Sequence, residues 1–136
     1  MKNLTTAIYS KFTGSTFSTA VGGRLYKSRA KQNPTWPYAM FFMLSDMPID
    51  TFTENLEEVD ILFQIFSSAS SSGEIEDAFS ALCATFDDCV LTVTSNTFLS
   101  MERQMASLSS IPEETSTGAA EYWQYDVEYK IRIKRN

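Results

Sequence analysis

The sequence predicts a single α+β domain in which helices pack on one face of a mostly antiparallel sheet. Residues 73–87 have the apolar spacing of an amphipathic helix, and the chain ends in a strictly alternating segment from Trp123 to Lys134. Shorter apolar runs between these elements follow one another without regular helical crossovers, which favours an antiparallel sheet. The 136 residues suit one domain, spanning residues 1–136.

The first 23 residues predict one short helix and one ambiguous segment. Leu4, Ile8 and Phe12 recur every four residues behind Asn3, a possible N-cap, and Gly14 follows as a stop signal, so we expect a helix over residues 3–13. Residues 14–23 form either a loop or a brief second helix. The segment RLYKSRA then has the character of a short strand.

A dense run of signals, NPTWPYAMFFMLSD, occupies residues 33–46. Proline cannot donate to a sheet, so Pro37 fits the entry of a strand over residues 38–44. This run is apolar without alternation, which predicts a strand covered on both faces. The domain's own helices are expected to cover one face of this strand. The other face is covered either by a partner or by a loop of the same chain. Residues 45–57 are expected to be a polar loop.

The middle of the chain predicts a strand followed by a helix. Residues 59–66 alternate in polarity, although Leu62 and Phe66 make the second face half apolar. Ser71 and Glu74 have the spacing of a capping box in front of the helix at residues 73–87. The domain core should include Phe79, Leu82 and Phe86 of this helix. It should also include Phe63, Tyr125 and Val127 of the strands.

The last third of the sequence predicts three further elements. Residues 90–93 resemble a short strand, and residues 97–106 alternate less cleanly. Residues 107–119 are rich in Ser, Thr, Gly and Pro and are expected to be a loop. The final strand has an apolar face and a charged face. Its apolar residues are Trp123, Tyr125, Val127, Tyr129, Ile131 and Ile133.

The composition favours a structural role over a catalytic one. Histidine is absent, which removes the commonest general base and metal ligand, and a serine nucleophile would lack a base. Seventeen acids against eleven bases give a net charge of −6, which argues against a sequence-independent nucleic-acid binder. We therefore expect no catalytic residue, no cofactor and no metal site. No signal peptide is evident, so Cys83 and Cys89 are expected to stay reduced in a cytoplasm.

The order of these segments resembles the tail-completion, or tail-terminator, proteins that join tail to head in long-tailed phages. The resemblance rests on GGRLYKSRAKQNPTWPYAMFFMLSD, EVDILFQIFS, EIEDAFSALCATF and YWQYDVEYKIRIK, which together cover nearly the whole chain. The positions that carry the family's pattern are Arg24, Leu25, Tyr26, Pro37, Tyr38, Ser45 and Asp46. The sequence departs from that pattern at DDCV after the helix and in the long segment 107–119.

The resemblance implies a structural virion protein at the tail–neck junction, assembled in the host cytoplasm. Such a protein forms a ring of six copies that caps the tail tube, ends its polymerisation and joins the tail to the head connector. The implied partners are further copies of the chain, the major tail tube protein and a head-completion or connector protein, with no membrane. DNA would pass through the bore without specific binding, which the acidic balance suits.

Apolar residues in excess of what one core needs are the candidate contacts between subunits. The candidates for the subunit or partner interface are Tyr38, Phe41, Phe98, Met101 and Met105. Two alternatives remain open at this point. One is another neck or tail-tube structural protein of similar fold, and the other is a small-ligand-binding domain.

Overall fold

The computed structural model describes the backbone of residues 2–29, 34–115 and 118–135, with side chains in the same ranges except 112–121. Residues 30–33, which belong to the motif quoted above, and residues 116–117 of the expected loop lie outside this description. In chain order the helices are α1 (Lys2–Phe12), α2 (Thr16–Ala20) and α3 (Gly73–Phe86). The strands are β1 (Leu25–Lys27), β2 (Tyr38–Pro48), β3 (Leu56–Ser67), β4 (Asn96–Thr115) and β5 (Gly118–Arg135).

The five strands form one sheet in the order β1-β2-β3-β5-β4. The pairs β2–β3, β3–β5 and β5–β4 are antiparallel, and only the three-residue β1 lies parallel to its neighbour, β2. All three helices pack on the same face of this sheet, where their apolar residues and those of the strands form one buried cluster. The predicted α+β class, with a mostly antiparallel sheet, is therefore confirmed.

Phe63 on β3 lies at the centre of that core. Its ring is 5.0 Å from Phe86 of α3, 5.8 Å from Tyr129 of β5 and 5.9 Å from Phe41 of β2, measured between centroids. The predicted core is confirmed for Leu82, Phe86, Phe63 and Val127, which are fully buried. Phe79 and Tyr125 stack on each other at 4.1 Å and are only partly buried at the margin.

Three element predictions were wrong, two of them on the edge strands β2 and β4 and one in the connection from α3 to β4. β2 continues through Ser45 to Pro48 by way of a bulge between Met43 and Ser45, so the first loop shrinks to residues 49–55. Residues 90–93 form no strand, although Leu91 and Val93 are buried against the core. Residues 107–119 are not a loop, because 107–115 and 118–119 belong to β4 and β5.

The capping box was also wrong. The N-cap of α3 is Ser72, whose side chain makes no capping hydrogen bond. Glu74 instead accepts a hydrogen bond of 2.6 Å from the hydroxyl of Ser67 at the end of β3. The carboxylate of Glu74 therefore connects the start of the helix to the sheet and does not cap the helix.

Burial ranks the phenylalanines of the core. We expect Phe63→Ala to lower the free energy of unfolding by about 3–5 kcal/mol, because its ring is fully enclosed, and Phe79→Ala to cost less, about 1–3 kcal/mol. Phe52→Ala is the matched control, since that ring is fully exposed. Urea unfolding followed by circular dichroism measures all three. If Phe63→Ala costs no more than Phe52→Ala, this position of β3 is misassigned.

Candidate interaction surfaces

The family-pattern residues that are far apart in the sequence come together at the entry of β2. The Nε of Arg24 donates a hydrogen bond of 2.9 Å to the carbonyl of Pro37, and the amide of Ala39 donates one of 2.9 Å to the carbonyl of Arg24. The rings of Tyr26 and Tyr38 are 6.2 Å apart. Arg24 therefore fixes β1 beside β2 and positions the Trp36–Pro37 segment over the sheet.

The face of the sheet opposite the helices begins with an aromatic cluster. Tyr38 stacks on Phe66 with ring centroids 4.9 Å apart. Trp36 lies 5.0 Å from Tyr38 and 5.6 Å from Tyr122. The segment that carries Trp36 thus covers part of the face of β2 opposite the helices. This agrees with the expectation that a loop of the same chain covers that face.

Further along this open face, the charges neutralise one another. Glu58 accepts from Lys130 at 3.0 Å and from Arg132 at 3.2 Å, and these pairs hold the pKa of Glu58 below its usual value. Asp126 accepts hydrogen bonds from Gln64 at 3.1 Å and Gln124 at 2.9 Å. The polar half of the open face therefore has most of its hydrogen-bonding and charge requirements met internally.

A polar cluster fixes α3 to the hairpin of β4 and β5. The hydroxyl of Tyr129 donates a hydrogen bond of 2.6 Å to Asp87, and Arg103 forms an ion pair with the same carboxylate at 3.4 Å. Arg103 also donates to Cys83 at 2.9 Å and lies over the ring of Phe79. Burial raises the pKa values of Tyr129 and Cys83, which keeps both groups protonated and makes the cluster a structural clamp.

Two hairpins project from opposite ends of the sheet. Residues 49–55 connect β2 to β3 at the end where β5 finishes, and the β4–β5 turn lies at the end where β3 finishes. β3 pairs with β5 only as far as Trp123, so residues 111–115 and 118–122 continue as a two-stranded extension. The loop 49–55 presents a fully exposed Phe52.

The base of the 49–55 loop is held by ion pairs to the last residue of β5. Arg135 pairs with Asp50 of the loop and with Glu57 at 3.2 Å, and its amide donates to the carbonyl of Asn55 at 2.8 Å. Burial, and then the neighbouring Asp46, raises the pKa of Glu57. Phe52 is therefore carried on a loop whose ends are fixed to the sheet.

The five predicted interface residues are placed very differently by the fold. Phe41 and Met101 are buried beneath the helices, 0% and 1% exposed, so both belong to the chain's own core and the premise that they were free for a contact was wrong. Tyr38 and Phe98 are partly buried. Met105 is 53% exposed. Phe41 lies in the apolar run of β2, where the sequence does not distinguish the two faces, and Met101 faces inward after a bulge of β4 between Phe98 and Ser100.

Little in the sequence indicated which apolar side chains are exposed. Met47 and Phe52 are exposed but lie in a segment expected to be a loop, and the exposed Leu99 lies in the segment that alternates poorly. Leu44 is also exposed, although it ends the strand that was expected to be covered on both faces. Only an apolar side chain at a turn, such as Phe52 between two threonines, could have been recognised as unusual.

An open depression of about 360 Å³ lies between α1 and residues 90–94, and Lys11 is the only charged residue in its described lining. Among the residues that the structure describes, no three Asp, Glu, Cys or His side chains are grouped as a metal site would require. No helix in the described ranges has the length and apolar character to cross a membrane.

Comparison with solved structures places this fold beside that of a virion component. A chain from the virion of a native gene transfer agent particle superposes with a TM-score of 0.71 over 95% of this chain and 92% of that chain. The two sequences are 13% identical, so the likeness establishes the shared fold alone. Neither the family models nor the curated proteins that were compared gave a match.

Adjacent glutamates should affect acid stability in opposite directions. The raised pKa of Glu57 means that its stabilising contribution is present below the usual value of 4.5 and is lost as pH rises through the folded-state value. The lowered pKa of Glu58 means that its contribution is present above 4.5 and is lost as pH falls through the folded-state value.

Between pH 7 and pH 3, Glu57→Gln should therefore lose more stability on acidification than the native chain, and Glu58→Gln should lose less. Urea unfolding at a series of pH values measures this difference, and each variant serves as the control for the other. Identical pH profiles for the two variants would contradict the assignment of their surroundings.

Proposed function

We propose that this protein is a structural component of a phage-like virion that acts at the neck. In this proposal a ring of subunits, six in number, caps the tail tube, ends its polymerisation and joins it to the head connector. The role is architectural and involves no catalysis. The major tail tube protein lies on one side of the ring and a head-completion or connector protein on the other.

The observation that carries the proposal is the likeness to a virion chain over almost the whole length of both molecules. Coverage of 95% and 92% leaves no large unmatched part in either chain. The proposal extends the source of that neighbour, a gene transfer agent virion, to this chain. The placement at the neck rests on the resemblance to tail-completion proteins, and the proximity of Arg24, Tyr26, Pro37 and Tyr38 supports treating those residues as one structural motif.

The two hairpins at opposite ends of the sheet support a joining role. A protein that links a tube to a connector needs two separate contact regions, one for each partner. The 49–55 loop and the two-stranded extension of residues 111–115 and 118–122 provide such regions in this proposal, because they lie at opposite ends and neither is needed to complete the core. An exposed aromatic ring on a fixed loop, as Phe52 is, has the character of an interface hot spot.

The acidic balance fits a passage for DNA. With a net charge of −6, a ring of these subunits carries a large negative charge. Like charge disfavours binding of phosphates, so DNA can move through a bore without being retained.

Inactivating the gene in the genome that encodes this protein tests the proposal. We expect heads and tails to accumulate separately, with tails of uncontrolled length, because nothing ends tube growth. Immunogold labelling of native particles should mark one position, at the head–tail junction. Label along the full tail would instead identify a tube component, and joined particles of normal length in the mutant would refute the neck role.

The two hairpins should be separable in their partners. A variant that lacks residues 113–120, with Asn-Gly joining Pro112 to Glu121, and a Phe52→Ser variant should both keep the native melting temperature, because neither change touches the core. We expect one variant to lose attachment to tail tubes and the other to lose attachment to heads, measured by co-sedimentation with each purified structure. Thr53→Ser is the control for the loop change. If both variants lose the same partner, the two-ended arrangement is wrong.

A further inference from the structure

The exposed large apolar side chains of the described structure gather on the two edges of the sheet. Leu44, Met47 and Phe52 belong to β2 and the loop that follows it, with exposures of 52%, 54% and 110%. Leu99, Met105 and Leu108 lie on β4, with exposures of 49%, 53% and 36%. Phe52, on the 49–55 loop, and Val90, in the connection from α3 to β4, lie off both edges. Apolar groups concentrated in this way mark an interaction surface.

The first edge is the second half of β2. β1 pairs only with residues 39–41, so the outer side of residues 43–48 has no strand beside it in the described chain. Leu44 lies in the bulge between Met43 and Ser45, where the ladder with β3 is interrupted. The result is a short apolar edge whose backbone groups face outward.

The second edge is β4, which pairs with β5 on one side and has no strand on its other side in the described chain. Edge strands of this length invite pairing with another chain. Leu99 lies in a bulge between Phe98 and Ser100, and a second bulge precedes Met105. Both edges thus combine exposed apolar side chains with a locally interrupted ladder.

We infer that these two edges are the two halves of one contact between copies of this chain, with the β2 edge of one subunit against the β4 edge of the next. The inference rests on the proposed ring and specifies its subunit contact. The two patches differ and lie on opposite edges of a single sheet. A two-fold dimer would cover one patch and leave the other in water, whereas head-to-tail association covers both in every subunit and closes by rotation.

Strand direction and register favour this contact. β2 and β4 run in opposite directions, because three antiparallel pairings separate them. Rotating one subunit into the place of its neighbour therefore puts the two edges antiparallel, the arrangement in which sheets pair most readily. Met47 aligns across the sheet with Ser100 through Glu58 and Arg132, so the two apolar edges lie at the same height.

Cysteine crosslinking tests the contact and its head-to-tail nature. The single variants are Met47→Cys, Leu99→Cys and Met105→Cys, and the two double variants combine Met47→Cys with each of the others. Each purified protein is oxidised with copper–phenanthroline. The native chain, with its two half-buried thiols, gives the background. We expect a ladder of covalent multimers from at least one double variant, and dimers only when the matching single variants are mixed. Strong dimers from a single variant alone, or no crosslink in any double variant or mixture, would overturn the inference.

Charge substitution provides a second, independent measurement. Met47→Glu and Met105→Glu should raise the concentration needed for ring formation at least tenfold, as measured by mass photometry and sedimentation. Val90→Glu, which changes a still more exposed apolar residue away from the edges, should leave this concentration unchanged. Circular dichroism melts confirm that each variant is folded.

The outcomes separate this inference from the proposed function. If the native chain forms rings and both edge variants form them equally well, the edges are not the contact, and the ring proposal stands. If the native chain stays monomeric even in the presence of tail tubes, both the ring and the edge contact are overturned.

Discussion

The packing of Phe63 against residues from both layers is the interaction on which the rest of the structure depends. Its ring touches Phe86 and Phe17 of the helices as well as Phe41 and Tyr129 of the adjoining strands. β3, which carries it, pairs with β5 along all twelve residues from Leu56 to Ser67. The helices are therefore held against the two central strands, and the outer strands are attached to this unit from either side.

That arrangement limits where a function can reside. One face of the sheet is covered by helices. On the open face, the aromatic cluster around Tyr38 and the ion pairs of Glu58 satisfy most groups within the chain. What remains available is the pair of edges and the pair of hairpins, which lie at right angles to one another around the sheet. A subunit with lateral contacts on its edges and axial contacts at its ends has the geometry that a ring between two stacked structures requires.

The sequence was informative where one face of an element meets the core. The spacing of Ile75, Leu82 and Phe86 identified α3 to within one residue at its end, and the alternation from Trp123 onward identified most of β5. The end of β2 and the second half of β4 were missed, since residues 45–48 and 107–115 were expected to be loops. Their outer halves pack against little, so burial does not impose a period of two on the side chains there. The predicted interface residues were the least accurate part, because Phe41 and Met101 have the same apolar character whether they face the helices or a neighbouring subunit.

The bulges of β4 connect the failed prediction to the proposed contact. Each adds one residue to β4 relative to β5 and so exchanges the inward and outward positions that follow it, which is why residues 97–106 alternate poorly in the sequence. In the fold, the same interruptions break a long edge into short stretches. A continuous flat edge would accept any extended chain, and bulges restrict such indiscriminate pairing. β2 carries such an interruption at Leu44, on the opposite edge of the same sheet. In the proposed contact, the irregularity that made this strand hard to predict from the sequence also restricts pairing of the edge to a chain with a matching interruption.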